Sequence, residues 1–134
     1  MIRRPNLPTV FWALFILILC GFPGKDIPHF SFLEILSFDK WVHAGMFFVL
    51  VLLGIRGFRL QNKFLGLKKH AALIAVGLSI AYGGILEILQ GTIFQDRSAD
   101  FYDFVANSFG CFVALLFYPK ISKWFPKFNF PLNG

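Results

Sequence analysis

Four apolar segments alternate with short polar connections along the chain, over residues 7–22, 40–57, 71–90 and 101–118. The second to fourth each approach the length of about 20 residues that a membrane-spanning helix needs. The first would be about 24 Å long as a helix, short for a ~30 Å hydrocarbon core but workable with snorkelling at its ends. A secretory signal peptide is the alternative for it, but a small-residue cleavage site is lacking. The pattern therefore predicts four membrane-spanning helices.

The connections and the tail contain further predicted elements. Residues 30–38 are mostly apolar but too short to span, so we expect them to lie in the membrane interface or to form a re-entrant piece. Asp39 is the expected N-cap of the second span, and Pro119 is expected to end the fourth. The tail, residues 119–134, combines lysines with aromatic residues, a composition typical of an interface anchor.

Polar and small residues recur at helical spacing in the third and fourth spans. The third has Ser79, Gly83, Glu87 and Gln90 on one face, and the fourth has Asp103, Asn107, Gly110 and Ala114. Small residues let helices approach closely in lipid, and polar residues hydrogen-bond across the contact. Both stripes are therefore predicted to face protein. Lys40 and His43, three residues apart, share a face near the start of the second span.

The composition supports a membrane protein of one domain. Hydrophobic residues make up 57% and charged residues 15% of the chain, and the mean hydropathy is +0.67, whereas about a quarter of the residues in a soluble domain are charged. The net charge of +6 does not indicate a nucleic-acid partner, because the basic residues lie between apolar segments and not on one water-exposed face. Cys20 and Cys111 lie inside apolar segments, so neither a disulfide framework nor a zinc site is predicted.

The basic residues predict the orientation. Ten of the 13 Lys and Arg residues lie in the N-terminal segment, the 56–70 connection and the tail, and all seven acidic residues lie on or near the alternate connections. The positive-inside rule then places both termini in the cytoplasm. This topology brings one set of residues within about one to two helical turns of the outer surface. The set consists of Asp39, Lys40, His43, Glu87, Gln90, Arg97, Asp100, Asp103 and Asn107.

These residues also carry a family resemblance. D-K-x-x-H at 39–43, E-x-x-Q at 87–90 and R-x-x-D-x-x-D-x-x-x-N-x-x-G at 97–110 resemble the VanZ-like family of small bacterial membrane proteins, over roughly residues 39–116. The resemblance implies a compact all-α bundle of four transmembrane helices in the bacterial cytoplasmic (inner) membrane. It makes the residues just named, together with Gly110, the polar signature of the family. The founding member is linked to resistance to the glycopeptide teicoplanin, so the resemblance implies an effect on glycopeptide susceptibility and not a defined reaction.

The cost of burying charge favours a functional site over a purely structural role. Interhelical hydrogen bonds in lipid contribute only about 0.6–2 kcal/mol each, whereas a charged residue at the centre of a spanning helix costs about 2.5–3.5 kcal/mol. Ser, Thr or Asn could fasten helices together at lower cost. We therefore expect the polar residues to form an outward-facing pocket.

Three functions stay open at this point. The first is an enzyme acting on a membrane lipid or a lipid-linked cell-envelope precursor, and the second is a non-catalytic module that binds such a ligand or has a structural role. In the enzyme, His43, Glu87 and Asp103 would transfer protons, and Arg97 and Lys40 would hold an anionic headgroup. Substrate binding would also use Gln90, Asp100 and Asn107, with Asp39 and Gly110 in support.

The third function is a divalent-metal-dependent hydrolase. His43, Glu87, Asp100 and Asp103 would supply mixed nitrogen and oxygen ligands, but no motif as specific as H-E-x-x-H is present. No residue is therefore assigned as a metal ligand, and the sequence does not identify a cofactor.

Overall fold

The structure, a computed structural model, describes residues 5–21, 32–93 and 101–124, with side chains described for 5–21, 40–93 and 101–121. All regular elements in these ranges are helices: α1 (Leu7–Gly21), α2 (Phe32–Leu60), α3 (Leu65–Lys69), α4 (Ala71–Thr92) and α5 (Phe101–Trp124). Three helical segments are long and apolar enough to cross a membrane, namely Lys40–Leu60, Ala71–Thr92 and Phe101–Ile121. The predicted all-α membrane class is confirmed at this level.

Helices α2 and α5 lie side by side and run in the same direction. Near their starts, Lys40 is hydrogen-bonded to Asp103, and near their ends the Arg59 guanidinium lies 4.7 Å from the centre of the Tyr118 ring. Between these points, a Cβ on Gly110 would overlap the carbonyl oxygen of Ala44 and lie 2.8 Å from its carbonyl carbon. The two backbones therefore touch at a place where only glycine fits.

Helix α4 packs antiparallel against this pair. A Cβ at Gly83 would lie 3.2 Å from Asn107 Nδ2 of α5, and one at Gly54 of α2 would lie 3.3 Å from the Cβ of Ala75. Ser79, Gly83, Glu87 and Gln90 of α4 are all buried, and so are Asp103, Asn107, Gly110 and Ala114 of α5. The prediction that both stripes face protein is confirmed.

Helix α1 is shorter and is held mainly at its inward face. Its 15 residues reach about 22 Å at 1.5 Å per residue, and its buried residues are Ile16 and Cys20. Three side-chain hydrogen bonds join it to α2 and α4: Trp12 Nε1 to Met46 O, the Tyr82 hydroxyl to Ala13 O, and Gln90 Nε2 to Cys20 O. Because lipid offers no competing hydrogen-bond partners, such bonds are effective fasteners in a membrane.

Two predicted boundaries are wrong. Helix α2 runs unbroken from Phe32, so residues 32–38 continue directly into the second span and Asp39 is not an N-cap. The position of residues 32–38 in the membrane interface stays a prediction. The segment between Phe32 and Lys40 contains neither Gly nor Pro, the residues that most readily end a helix. Helix α5 passes through Pro119 and ends at Trp124. Proline in a membrane helix is tolerated because neighbouring groups can satisfy the carbonyl that loses its N–H partner.

We expect Gly110→Ala to destabilise the protein by about 1–3 kcal/mol, because the added methyl group must push α2 and α5 apart. Gly77→Ala is the matched control, since Gly77 is an exposed helical glycine with nothing within 4 Å of an added Cβ. Thermal unfolding of both variants in detergent measures the difference. Equal midpoints for Gly110→Ala and Gly77→Ala would contradict the close backbone contact.

Candidate functional site

Four polar side chains meet where the membrane-crossing segments of α2 and α5, Lys40–Leu60 and Phe101–Ile121, begin. Lys40 and His43 come from α2, and Asp103 and Asn107 come from α5; together they form what we call the polar cluster. Lys40 Nζ donates to Asp103 Oδ1 at 2.7 Å, and His43 Nδ1 lies 3.0 Å from Asn107 Oδ1. His43 Nε2 lies 3.8 Å from the other carboxylate oxygen, Asp103 Oδ2. Residues more than 60 positions apart in sequence thus form one connected group.

The parallel packing of two helices places these residues opposite one another. Lys40 and His43 are three residues apart, and Asp103 and Asn107 are four apart, so each pair occupies one helix face over about one turn. Because α2 and α5 run in the same direction, Lys40 lies level with Asp103 and His43 with Asn107. The contact between Ala44 and Gly110 comes next along the same seam.

The cluster is buried except at Lys40. The exposed fraction is 4% for His43, 7% for Asp103 and 1% for Asn107, whereas a quarter of the Lys40 side chain is exposed. A buried carboxylate is tolerated only when it is paired, and the Lys40 ammonium provides that pairing for Asp103. Lys40 is therefore the member of the polar cluster that a ligand outside the protein can reach.

The gap between His43 and Asp103 is chemically important. At 3.8 Å the two atoms are too far apart for a direct hydrogen bond. An oxygen about 2.8 Å from each of them would bridge the gap with ordinary hydrogen-bond lengths. A neutral imidazole carries one N–H and one lone pair, so if Nδ1 donates to Asn107 Oδ1, then Nε2 can accept a proton. His43 thus presents one ring nitrogen to Asn107 and the other to the Asp103 carboxylate.

Glu87 lies at the same level of the bundle, on α4. Gly83 packs against Asn107, and Glu87 is one turn beyond Gly83 while Asp103 is one turn before Asn107. Because α4 and α5 are antiparallel, both carboxylates lie at the same height. Glu87 is 8% exposed, so the predicted burial of this acidic side chain is confirmed.

Gln90 has a structural contact that the sequence did not indicate. Its Nε2 donates to the carbonyl oxygen of Cys20 at 3.1 Å, which ties the end of α4 to the end of α1. Its Oε1 is buried and has no hydrogen-bond partner among the described residues. Substrate binding by Gln90 stays a prediction.

Several predicted site residues lie outside the described parts of the chain. Arg97 and Asp100 fall between residues 93 and 101, and the side chain of Asp39 is not described. Their predicted roles stay predictions. Within the described residues, no three His, Cys, Asp or Glu side chains come close enough together to hold a metal ion, and Asp100, a ligand in the metal hypothesis, lies outside them.

Fold and site together define a multi-pass α-helical membrane protein with a buried cluster of charged and polar side chains at one end. Comparisons with protein families, with curated proteins and with solved structures gave no match to this chain. The function is therefore inferred from the geometry of the site.

We expect Lys40→Gln and Asp103→Asn to be coupled. Each alone leaves one member of a largely buried ion pair without its partner, so the effects on the free energy of unfolding should be non-additive by about 0.5–3 kcal/mol. A double-mutant cycle in detergent measures this coupling. Lys68→Gln combined with Asp103→Asn is the control: Lys68 lies in α3 and bonds to Asn62, so those effects should add. Additive effects for Lys40 and Asp103 would contradict the ion pair.

Proposed function

We propose that this protein acts on, or binds, the polar headgroup of a lipid or lipid-linked cell-envelope component at the outer face of a bacterial cytoplasmic membrane. One observation carries the proposal. The buried His43 lies between the carboxamide of Asn107 and the carboxylate of Asp103, which is paired with Lys40. Ionisable groups at such depth in a membrane protein are by default candidates for a functional site.

In the catalytic form of this proposal, His43 is the proton carrier. A water or hydroxyl group between His43 and Asp103 would give its proton to the imidazole as it attacks, and the imidazolium would return that proton to the leaving group. The Asp103 carboxylate would stabilise the imidazolium between these two transfers. Lys40, at the exposed edge of the cluster, would balance negative charge on a phosphate or similar group. Arg97 and Asp100 would add contacts from the following connection, and Glu87 would be a second acidic group at the same height.

The membrane topology belongs to the proposal. Four spans, with α1 as the first, place both termini and the basic 56–70 connection in the cytoplasm under the positive-inside rule. The polar cluster then faces outward. A 15-residue α1 spans if the bilayer thins locally or its flanking residues snorkel.

The resemblance to VanZ-like proteins supports the same proposal. The three polar motifs at 39–43, 87–90 and 97–110 include every member of the polar cluster. Under this proposal the protein is VanZ-like and affects glycopeptide susceptibility by altering an envelope component.

A non-catalytic module is the second candidate. It is favoured by the 2.7 Å bond between Lys40 and Asp103, since a pair that already satisfies each other's charge can hold helices together or bind a headgroup without chemistry. The two candidates differ in what a conservative substitution removes. Loss of the cellular effect at unchanged stability and unchanged headgroup binding indicates catalysis, loss of binding indicates a binding module, and loss of stability indicates fastening.

We expect His43→Gln to abolish any change in lipid or envelope-precursor composition that overproduction of the wild-type protein causes, because glutamine cannot carry the proton. His70→Gln is the matched control, since His70 is exposed and precedes α4 at the other end of the bundle. Lipidomic comparison of membranes containing equal amounts of the three proteins measures the effect. A change that persists in His43→Gln would contradict a catalytic role for His43, and Glu87→Gln tests the second acidic group in the same way.

A further inference from the structure

An apolar groove runs along the seam between α2 and α5. Trp41, Gly45 and Phe48 line it from α2, and Phe109, Gly110 and Val113 line it from α5. Its volume is about 160 Å³. From Trp41 to Phe48 it extends about 10 Å along α2 at 1.5 Å per residue, roughly a third of the ~30 Å hydrocarbon core.

The groove opens away from the helix bundle. Trp41 is 71% and Phe109 55% exposed, and a Cβ at Gly45 would have nothing within 4 Å. Both walls belong to segments that are long and apolar enough to cross a membrane, so the groove faces hydrocarbon in a bilayer. Hydrocarbon and not water fills an open apolar groove at that depth, which makes a lipid chain the fitting occupant.

The groove and the polar cluster share one helix crossing. Ala44, which also lines the groove, directly follows His43, and Gly110 is one turn beyond Asn107. At the outer end, Trp41 directly follows Lys40, whose side chain is one-quarter exposed. The Lys40 ammonium bonds to Asp103 but carries three N–H donors, so a headgroup phosphate at the Trp41 end of the groove would accept from it as well.

We propose that the α2–α5 groove holds an acyl chain of a phospholipid whose phosphate lies beside Lys40. This inference rests on the proposed function, because it names phospholipids as the lipid class that the polar cluster meets. The apolar groove supplies binding energy along the chain, and the cluster contacts the headgroup.

The test uses Trp41 as the reporter. The protein has three tryptophans, so a parent protein that carries both Trp12→Phe and Trp124→Phe retains Trp41 as its single tryptophan. In a non-ionic detergent, phosphatidylglycerol with brominated acyl chains should quench Trp41 fluorescence saturably. Brominated diacylglycerol, which lacks the phosphate, should quench more weakly.

Gly45→Leu should weaken this saturable quenching by about tenfold, because a leucine side chain would displace roughly two methylene groups of the bound chain. Gly77→Leu is the matched control, since Gly77 is likewise exposed with nothing within 4 Å of an added Cβ but lies on α4. Lys40→Gln should weaken quenching by phosphatidylglycerol and leave quenching by diacylglycerol unchanged.

Three results would overturn the inference. The first is equal quenching in Gly45→Leu and the parent protein. The second is shielding of Trp41 by a second copy of the chain in a cross-linked dimer. The third is displacement of the brominated lipid by a polyisoprenyl phosphate but not by unlabelled phospholipid. If one of them occurs while His43→Gln still loses its lipid effect, the proposed function stands and this inference alone fails. Saturable quenching of the Trp41 reporter, together with a lipid effect that persists in His43→Gln, would support the groove and reject catalysis by His43.

Discussion

The backbone contact between Ala44 and Gly110 is the constraint on which the arrangement of the site depends. No side chain fits between α2 and α5 there, so the two helices are held at a separation at which short polar side chains can reach across. Lys40 contacts Asp103, and His43 contacts Asn107, because both pairs lie within one to two helical turns of this contact. The same close approach leaves small residues at the floor of the apolar groove. One packing contact thus positions both a polar and an apolar binding surface.

The polar cluster combines attraction with a burial cost. Asp103 is 7% exposed, and a carboxylate there is stable because Lys40 neutralises it and Asn107 and His43 complete a polar neighbourhood. Neutral pairs such as Trp12 with Met46 O fasten α1 to α2 without any charge. The protein therefore has cheaper fasteners elsewhere in its fold, and this contrast supports a role for the charged cluster beyond holding helices together.

The sequence predicted the membrane class, the buried stripes and the convergence of polar residues, because hydrophobic length and helical spacing encode them. It did not predict the pairing of Lys40 with Asp103, although the matched spacings of 40/43 and 103/107 were available, since pairing depends on α2 and α5 being adjacent and parallel. Boundaries were also missed at Asp39 and Pro119, where tertiary packing and membrane surroundings outweigh local signals. The groove depends on the relative rotation of two helices, which no single-helix pattern encodes.

His43 Nδ1 is hydrogen-bonded to Asn107, and its Nε2 lies 3.8 Å from the Asp103 carboxylate. Nitrogen NMR of the imidazole tests this arrangement most directly. The chain has three histidines, so histidine-selective ¹⁵N labelling in bilayers gives few signals, with the exposed His70 as internal reference. We expect Asp103→Asn to shift the His43 Nε2 resonance and Asn107→Ala to shift the Nδ1 resonance, while the His70 resonances stay unchanged. His43 resonances that match a freely solvated imidazole and respond to neither substitution would contradict this arrangement.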